Sequence, residues 1–220
     1  MKDAKDSELF QLIRDRLFTP VLGDILDRER YWHQFLPQPI KPLHSSHRIV
    51  GRAFPVRIAD ITGQQDRPFG RLTEALDALQ PGEVYLATGG SMNCAAWGEI
   101  LTATARTRGV AGAVIDGFHR DTPRVLEQNW PVFSRGAFAQ DAGVRSSVID
   151  FRCAAEIGGV LVEPGDLIFG DIDGVLVIPR AVENRVIELA LEKVAGEKIV
   201  RSEIEAGSTS TAVFDRYGIL

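Results

Sequence analysis

From Arg48 onward the chain is a succession of short apolar runs ended by glycine, proline or aspartate, with only two helical patterns among them before position 180. IVGRAFPVRI, EVYLAT, GAVID, PVFSRG, SVIDF, GGVLV, LIFGD and GVLVIP are too short and too rich in β-branched residues for helices, and read as strands. PFGRLTEALDAL precedes EVYLAT, and NCAAWGEILTATARTR precedes GAVID, closed by Gly109 at a C-cap position. The second half then runs several strands in succession before one long helix from about 181 to 206. This uneven alternation predicts a mixed α/β sandwich rather than a uniform doubly wound sheet.

Ahead of the strands, Leu9, Leu12, Ile13 and Leu17 recur at helical spacing, and Thr19-Pro20 supplies a cap and first-turn proline for a second short helix, VLGDILDR. Residues 31–47 hold three prolines and three of the four histidines without a period, so they form a long loop or wrapping arm. No repeat or low-complexity linker divides the chain. One domain is expected over 1–220, with helices and arm in 1–47, an α/β core in 48–180 and a helix and tail in 181–220. At 220 residues such a domain buries roughly 70% of its unfolded surface without a disulfide scaffold. Cys94 and Cys153 are too few for a framework and suit a reduced cytoplasmic setting. The first residues lack the apolar core of a signal peptide, and no stretch approaches the roughly 20 apolar residues of a membrane span. Twenty-five Lys and Arg against thirty Asp and Glu give a net charge of −5. With arginine dispersed along the chain, neither a nucleic-acid nor a membrane partner is expected, whereas one or two arginines converging on a small anion are compatible with this balance.

Two places carry chemistry. EVYLAT runs into Gly89-Gly90-Ser91 with a helix expected a few residues on, which offers unpaired N–H groups to an anion; the same glycines also read as a tight turn. GAVID runs into Asp116-Gly117-Phe118-His119-Arg120-Asp121 at the C-terminal end of a strand, where α/β sheets bind ligands. There Arg120 can hold a carboxylate and Asp121 a hard divalent cation, although a surface ion pair at a turn is the plainer alternative.

The segment AAWGEILTATARTRGVAG, VIDG followed by Arg120-Asp121-Thr122-Pro123, PVFSRG, VEPGDLIFGDIDGVLVIP, Glu197, Gly207-Ser208 and Tyr217-Gly218 together resemble the metal-dependent (class II) pyruvate aldolases typified by 4-hydroxy-4-methyl-2-oxoglutarate aldolase, grouped with the regulator of ribonuclease E activity A. Twenty residues separate Glu99 from Arg120, as in the family's acidic residue, twenty-residue spacer, Arg-Asp signature. The resemblance implies a β/β/α swivelling-domain-like sandwich and a cytoplasmic homotrimer or homohexamer. It also implies a small 2-oxo acid as substrate and Mg²⁺ or Mn²⁺ as cofactor. Carried over by position, Arg120 binds the pyruvyl portion and offsets charge on the enolate, and Asp121 is the protein ligand of the metal. The backbone amides of Gly98, Glu99, Ile100 and Leu101 grip the substrate carboxylate. Glu99, one methylene longer than the family's usual Asp, holds a catalytic water, and Glu197 reaches the same water network from the neighbouring subunit.

Cleaving a 4-hydroxy-2-oxo acid between C3 and C4 leaves a pyruvate enolate, which a divalent ion and a fixed cation both stabilise. Loss of the 4-carboxylate of oxaloacetate gives the same enolate without removing a hydroxyl proton, so decarboxylation is expected as an accompanying or even the main activity. The resemblance also allows a non-catalytic regulator of a ribonuclease or another partner; regulators of that group typically lack the Arg-Asp pair, which favours catalysis. A sugar-acid dehydratase on the same scaffold is a third reading. Elsewhere, Asp166, Asp171 and Asp173 lack EF-hand spacing and read as turns, Trp97 and Trp130 as packing, and His119 as a loop or interface residue.

Overall fold

Most strands are apolar on both sides because both sides are covered. The computed structural model describes residues 2–91 and 93–219. Helices α1 (Lys2–Arg16) and α2 (Thr19–Arg28) lead into an arm that contains β1 (Lys41–Pro42). There follow β2 (Ile49–Asp60), α3 (Leu72–Ala78), β3 (Glu83–Thr88), β4 (Ala95–Trp97), α4 (Glu99–Thr107), β5 (Gly112–His119), α5 (Thr122–Glu127) and β6 (Val132–Ala137). The second half holds β7 (Ser146–Phe151), β8 (Ala155–Ile157), β9 (Val160–Val162), β10 (Leu167–Asp171), β11 (Gly174–Ile178), α6 (Glu183–Glu205) and α7 (Ser210–Tyr217). Nine strands form one mixed sheet in the order β1-β6-β5-β3-β2-β10-β11, with β4 beside β5 and β7 beside β2, while β8 and β9 pair separately.

The centre of the sheet, β2-β3-β5-β6, is parallel, and β10, β11 and β1 are antiparallel to their neighbours. Period-two alternation sends residues of one strand to different cores. Ile49, Val84, Leu86, Val114, Phe133, Ile168, Val175 and Val177 fill the inner face. On the outer face Val50, Leu167, Phe169, Leu176 and Ile178 meet the apolar sides of α1, α2 and α6. Phe54, Val56, Tyr85, Ala87, Ala113 and Ile115 meet α3 and α4. The mixed α/β architecture with N-terminal helices and a long C-terminal helix is thus as the sequence predicts, and the sheet curls until its edges nearly meet. The arm joins those edges: the N–H of Leu36 donates to Val175 O and that of Val177 to Gln34 O on one side, while Lys41 and Pro42 pair with β6 on the other.

Three local expectations are corrected. Thr19 does not cap α2; Phe18 holds that position. The Thr19 N–H and hydroxyl instead donate to the two Asp171 carboxylate oxygens, at 2.8 and 2.5 Å, because a buried carboxylate on β10 competes better for them than the helix end. The segment NCAAWGEILTATARTR is not one helix: Ala95–Trp97 is drawn into the sheet as β4, and helix begins at Glu99. The tail contains α7, capped by Thr209, whose hydroxyl accepts from Ala212 N, and closed by Gly218 at φ 63°.

Asp171 is 6% exposed and also accepts from Asp173 N, so the turn reading of that acidic run holds with a structural load attached. Asp171→Ala is expected to lower stability by about 2–4 kcal/mol, since it strands two buried donors at once; urea unfolding measures it, and a loss under about 1 kcal/mol would show that Thr19 finds another acceptor.

Candidate active site

The sheet delivers its chemistry at the C-terminal end of β5. The register of β5 against β6 shifts between Ile115 and Phe118, and such bulges re-aim the residues that follow. His119 ends the strand and is buried, its two ring nitrogens within 2.7 Å of Ser134 Oγ and 2.9 Å of Thr122 Oγ1. Burial pushes its pKa below the ordinary value. His119 is therefore a neutral structural pin between β5, β6 and α5 rather than a loop or interface residue: the strand runs three residues further than GAVID suggests.

Asp121 follows in a left-handed conformation, φ 57° and ψ 33°, which aspartate and asparagine adopt more readily than other non-glycine residues. This bend brings Asp121 Oδ2 to 3.3 Å from Glu99 N at the start of α4. Gly98 permits the approach, because a Cβ there would lie 2.7 Å from Asp121 Oδ2. By their place in the first turn, the N–H groups of Ile100 and Leu101 have no intrahelical acceptor. Arg120 donates through Nη1 to Asp141 Oδ1 at 2.6 Å and holds Nε 3.7 Å from Asp121 Oδ2. Asp141 is itself fixed, accepting from Gly143 N at 2.8 Å.

These residues border a cleft of about 480 Å³ between α3, α4 and the loop after β6, lined by Gly98, Glu99, Ile100, Leu101, Arg120, Asp121 and Asp141 among others. The structure thus gathers six of the seven residues singled out from sequence; Glu197 lies on α6, in the opposite helical layer, with Lys193 Nζ 3.8 Å away. Sequence reasoning missed Asp141, since nothing local marks a partner 21 residues from Arg120.

Other candidates resolve differently. Asp116 turns from the cleft to Arg135, 2.6 Å away, and accepts from Thr88 Oγ1. The Gly89-Gly90-Ser91 turn does not open a helix: β4 intervenes, and the Ser91 N–H already donates to both Asp60 carboxylate oxygens at 2.9 Å. Trp97 and Trp130 stack at 6.0 Å between ring centroids in the core. Both cysteines are free. Among the described residues no helix is long and apolar enough to cross a membrane.

No cluster of three or more His, Cys, Asp or Glu side chains among the described residues could enclose a metal. The donor set here is instead one carboxylate, Asp121, in an open cleft beside a second, Glu99. Hard oxygens of this kind suit an ion such as Mg²⁺ that keeps much of its shell as water and substrate oxygen.

A strand-end cleft on a mixed α/β sheet, offering a cation, carboxylates and a helix start, has the features of a small-molecule site. More narrowly, the sequence profile of the RraA-like family, described as Aldolase/RraA, matches residues 19–177, and the chain belongs to this family. A Halalkalibacterium halodurans protein named "Putative 4-hydroxy-4-methyl-2-oxoglutarate aldolase" is 35% identical over 167 residues, 74% of this chain and 75% of that one. Protein DlpA of Legionella pneumophila is 30% identical over 171 residues, 77% of this chain but only 28% of DlpA. Among solved structures, Streptomyces coelicolor RraAS2, described as an unusual member of the RNase ES inhibitor RraA protein family, has a TM-score of 0.80 at 25% identity. The match covers 89% of this chain and 98% of that one.

Proposed function

We propose that the protein is a divalent-metal-dependent carbon–carbon lyase. It cleaves a 4-hydroxy-2-oxo acid, of the type of 4-hydroxy-4-methyl-2-oxoglutarate, to pyruvate and an oxo product, and decarboxylates oxaloacetate at the same site. The observation that carries this reading is the convergence of Arg120, Asp121 and the start of α4 on one cleft. The names of relatives such as the Halalkalibacterium protein support a lyase.

Breaking the C3–C4 bond leaves its electron pair on C3, spread onto the C2 oxygen as an enolate, while the 4-hydroxyl proton leaves. Arg120 is the fixed cation where that charge develops, which favours the transition state over the bound substrate. The Ile100 and Leu101 amides hold the 1-carboxylate at the positive end of α4. Glu99 orients the water that takes the hydroxyl proton and then protonates C3 of the enolate, which gives pyruvate. Glu197, from a neighbouring copy in a homotrimer or homohexamer, completes that water's contacts. A divalent ion held by Asp121, Mg²⁺ or Mn²⁺, supplies an electron sink for the 2-oxo acid when bound.

Pyruvate release from a panel of 4-hydroxy-2-oxo acids and oxaloacetate, with Mg²⁺ or Mn²⁺ and with EDTA, tests the reading. Metal-dependent release is expected, and full activity in EDTA or none on any substrate overturns it. Gly98→Ala is expected to lower kcat/KM by about 10²-fold, because the added Cβ displaces the Asp121 carboxylate by about an ångström. Little change in thermal midpoint should accompany the loss, since the extended backbone at Gly98, φ −167°, accepts alanine.

A further inference from the structure

Five described non-glycine residues hold a positive φ, and two of them, Asp121 and Phe69, border the cleft. Aspartate tolerates that conformation, whereas in a bulky residue it is an outlier. Phe69 stands at φ 64°, third in a turn Arg67-Pro68-Phe69-Gly70 that the Gly70 N–H closes on Arg67 O at 3.2 Å. Proline second and a positive φ third is the pattern of a type II turn, whose third place normally goes to glycine or asparagine. Phenylalanine thus stands where a smaller residue would suit the backbone better. The conformation is imposed from outside the turn: Phe69 O accepts from Val148 N at 3.1 Å and from Leu72 N at 3.3 Å, and Arg71 N donates to Val148 O at 2.9 Å. Strain held in place by its surroundings, beside a cleft, points to a use for the side chain.

The contacts of the ring indicate that use. A Cβ on Gly143 would lie 3.3 Å from Phe69 Cζ, 3.4 Å from Phe69 Cε1 and 2.8 Å from Asp141 Oδ2, so the ring edge and the carboxylate crowd the same glycine. Gly143 N is the donor that fixes Asp141, and Asp141 in turn holds Arg120 Nη1 at 2.6 Å. The Arg120 and Asp141 side chains are 38% and 45% exposed, and an ion pair that open to water holds its geometry weakly without support. A ring laid against the turn keeps water from the bond between Gly143 and Asp141 and presents its electropositive edge toward the carboxylate. We infer that Phe69 is a positioning residue: its ring clamps the turn at 141–143 and, through Asp141, fixes the Arg120 guanidinium. All of these contacts lie within one copy of the chain. The clamp deepens the lyase reading and rests on it only for the consequence in turnover.

The test compares Phe69→Asn, which suits the positive φ but removes the ring, with Phe69→Leu, which keeps the strain and much of the apolar cover. Both are made in the full chain. The first readout needs no turnover: solvent exchange of the Arg120 Nε–H, followed by NMR with isotope-labelled arginine and assigned by its absence from Arg120→Lys. Phe69→Asn is expected to speed this exchange by about tenfold or more, and Phe69→Leu by less than about threefold. The thermal midpoint of Phe69→Asn should stay within about 3 °C of the unaltered protein, because relief of backbone strain offsets the lost contact. The second readout is steady-state pyruvate release, in which Phe69→Asn should lower kcat by about tenfold with KM within about threefold, and Phe69→Leu should recover most of the loss. Unchanged exchange in Phe69→Asn overturns the clamp, as does an unchanged kcat in an otherwise active protein. A loss confined to KM overturns it too, and makes Phe69 a wall that touches substrate. Faster exchange in Phe69→Asn, with no pyruvate release from the unaltered protein on any substrate, overturns the lyase reading and leaves the clamp standing.

Discussion

Asp121→Asn is expected to reduce metal-dependent pyruvate release by about 10³-fold while the thermal midpoint stays within the scatter of replicate melts. Asparagine is the informative replacement. It shares the tolerance of aspartate for the left-handed backbone at φ 57°, so the chain reversal that presents Arg120 is kept and only the negative charge is lost. Alanine would add a backbone penalty to the chemical one and blur the result. On the proposed mechanism, loss of an anionic oxygen that would hold the ion would remove the electron sink, which is why the effect should reach or exceed that of deleting a single oxyanion donor. Metal titration of the same variant by calorimetry should show weakened binding. A variant that retains full activity with unchanged metal affinity would remove Asp121 from the mechanism.

Arg120→Lys is expected to lower kcat/KM by about 10²-fold, with most of the loss in kcat. Lysine conserves the charge but not the planar fork. At position 120 the fork does two things: Nη1 is fixed by Asp141 Oδ1 at 2.6 Å with Nε 3.7 Å from Asp121 Oδ2, and Nη2 is left for the cleft that Arg120 lines. An ammonium bound to Asp141 would sit back from the substrate, and one aimed at substrate would lose its anchor. Steady-state kinetics on whichever 2-oxo acid the panel selects decides the matter. A loss below about threefold would show that Arg120 faces Asp141 and nothing else.

Much of this arrangement can be read in the chain. The strands were legible because branched apolar residues repeat between glycine, proline and aspartate, and because the helical layers on the outside of the sheet make alternation unnecessary. Arg120, Asp121 and the start of α4 were legible as a spaced signature. The split of NCAAWGEILTATARTR was not, since Ala95 and Trp97 suit a helix locally and become β4 only through pairing with Phe118 and His119. The role of Asp141 depends on an ion pair across a loop, and that of Thr19 on a carboxylate 152 residues away. By contrast α7 left a signal in Thr209 and Gly218, a cap and a stop flanking the helix.

The clasp between Thr19 and Asp171 bears on the order in which the molecule is made. The ribosome delivers the apolar face of α2, with Val21, Leu22, Ile25 and Leu26, before most of the surface that covers it. Its partners on β10, β11 and α6 follow only after β2 to β9 have been made, so α2 waits through the synthesis of most of the sheet with much of its hydrophobic side uncovered. Closing a loop of 152 residues is entropically slow compared with the local pairings of the core. α2, made ahead of the whole sheet, is thus among the last elements to be seated, and nascent chains stalled before Asp171 should remain cleavable by protease at α2 while β3 and β5 are already protected.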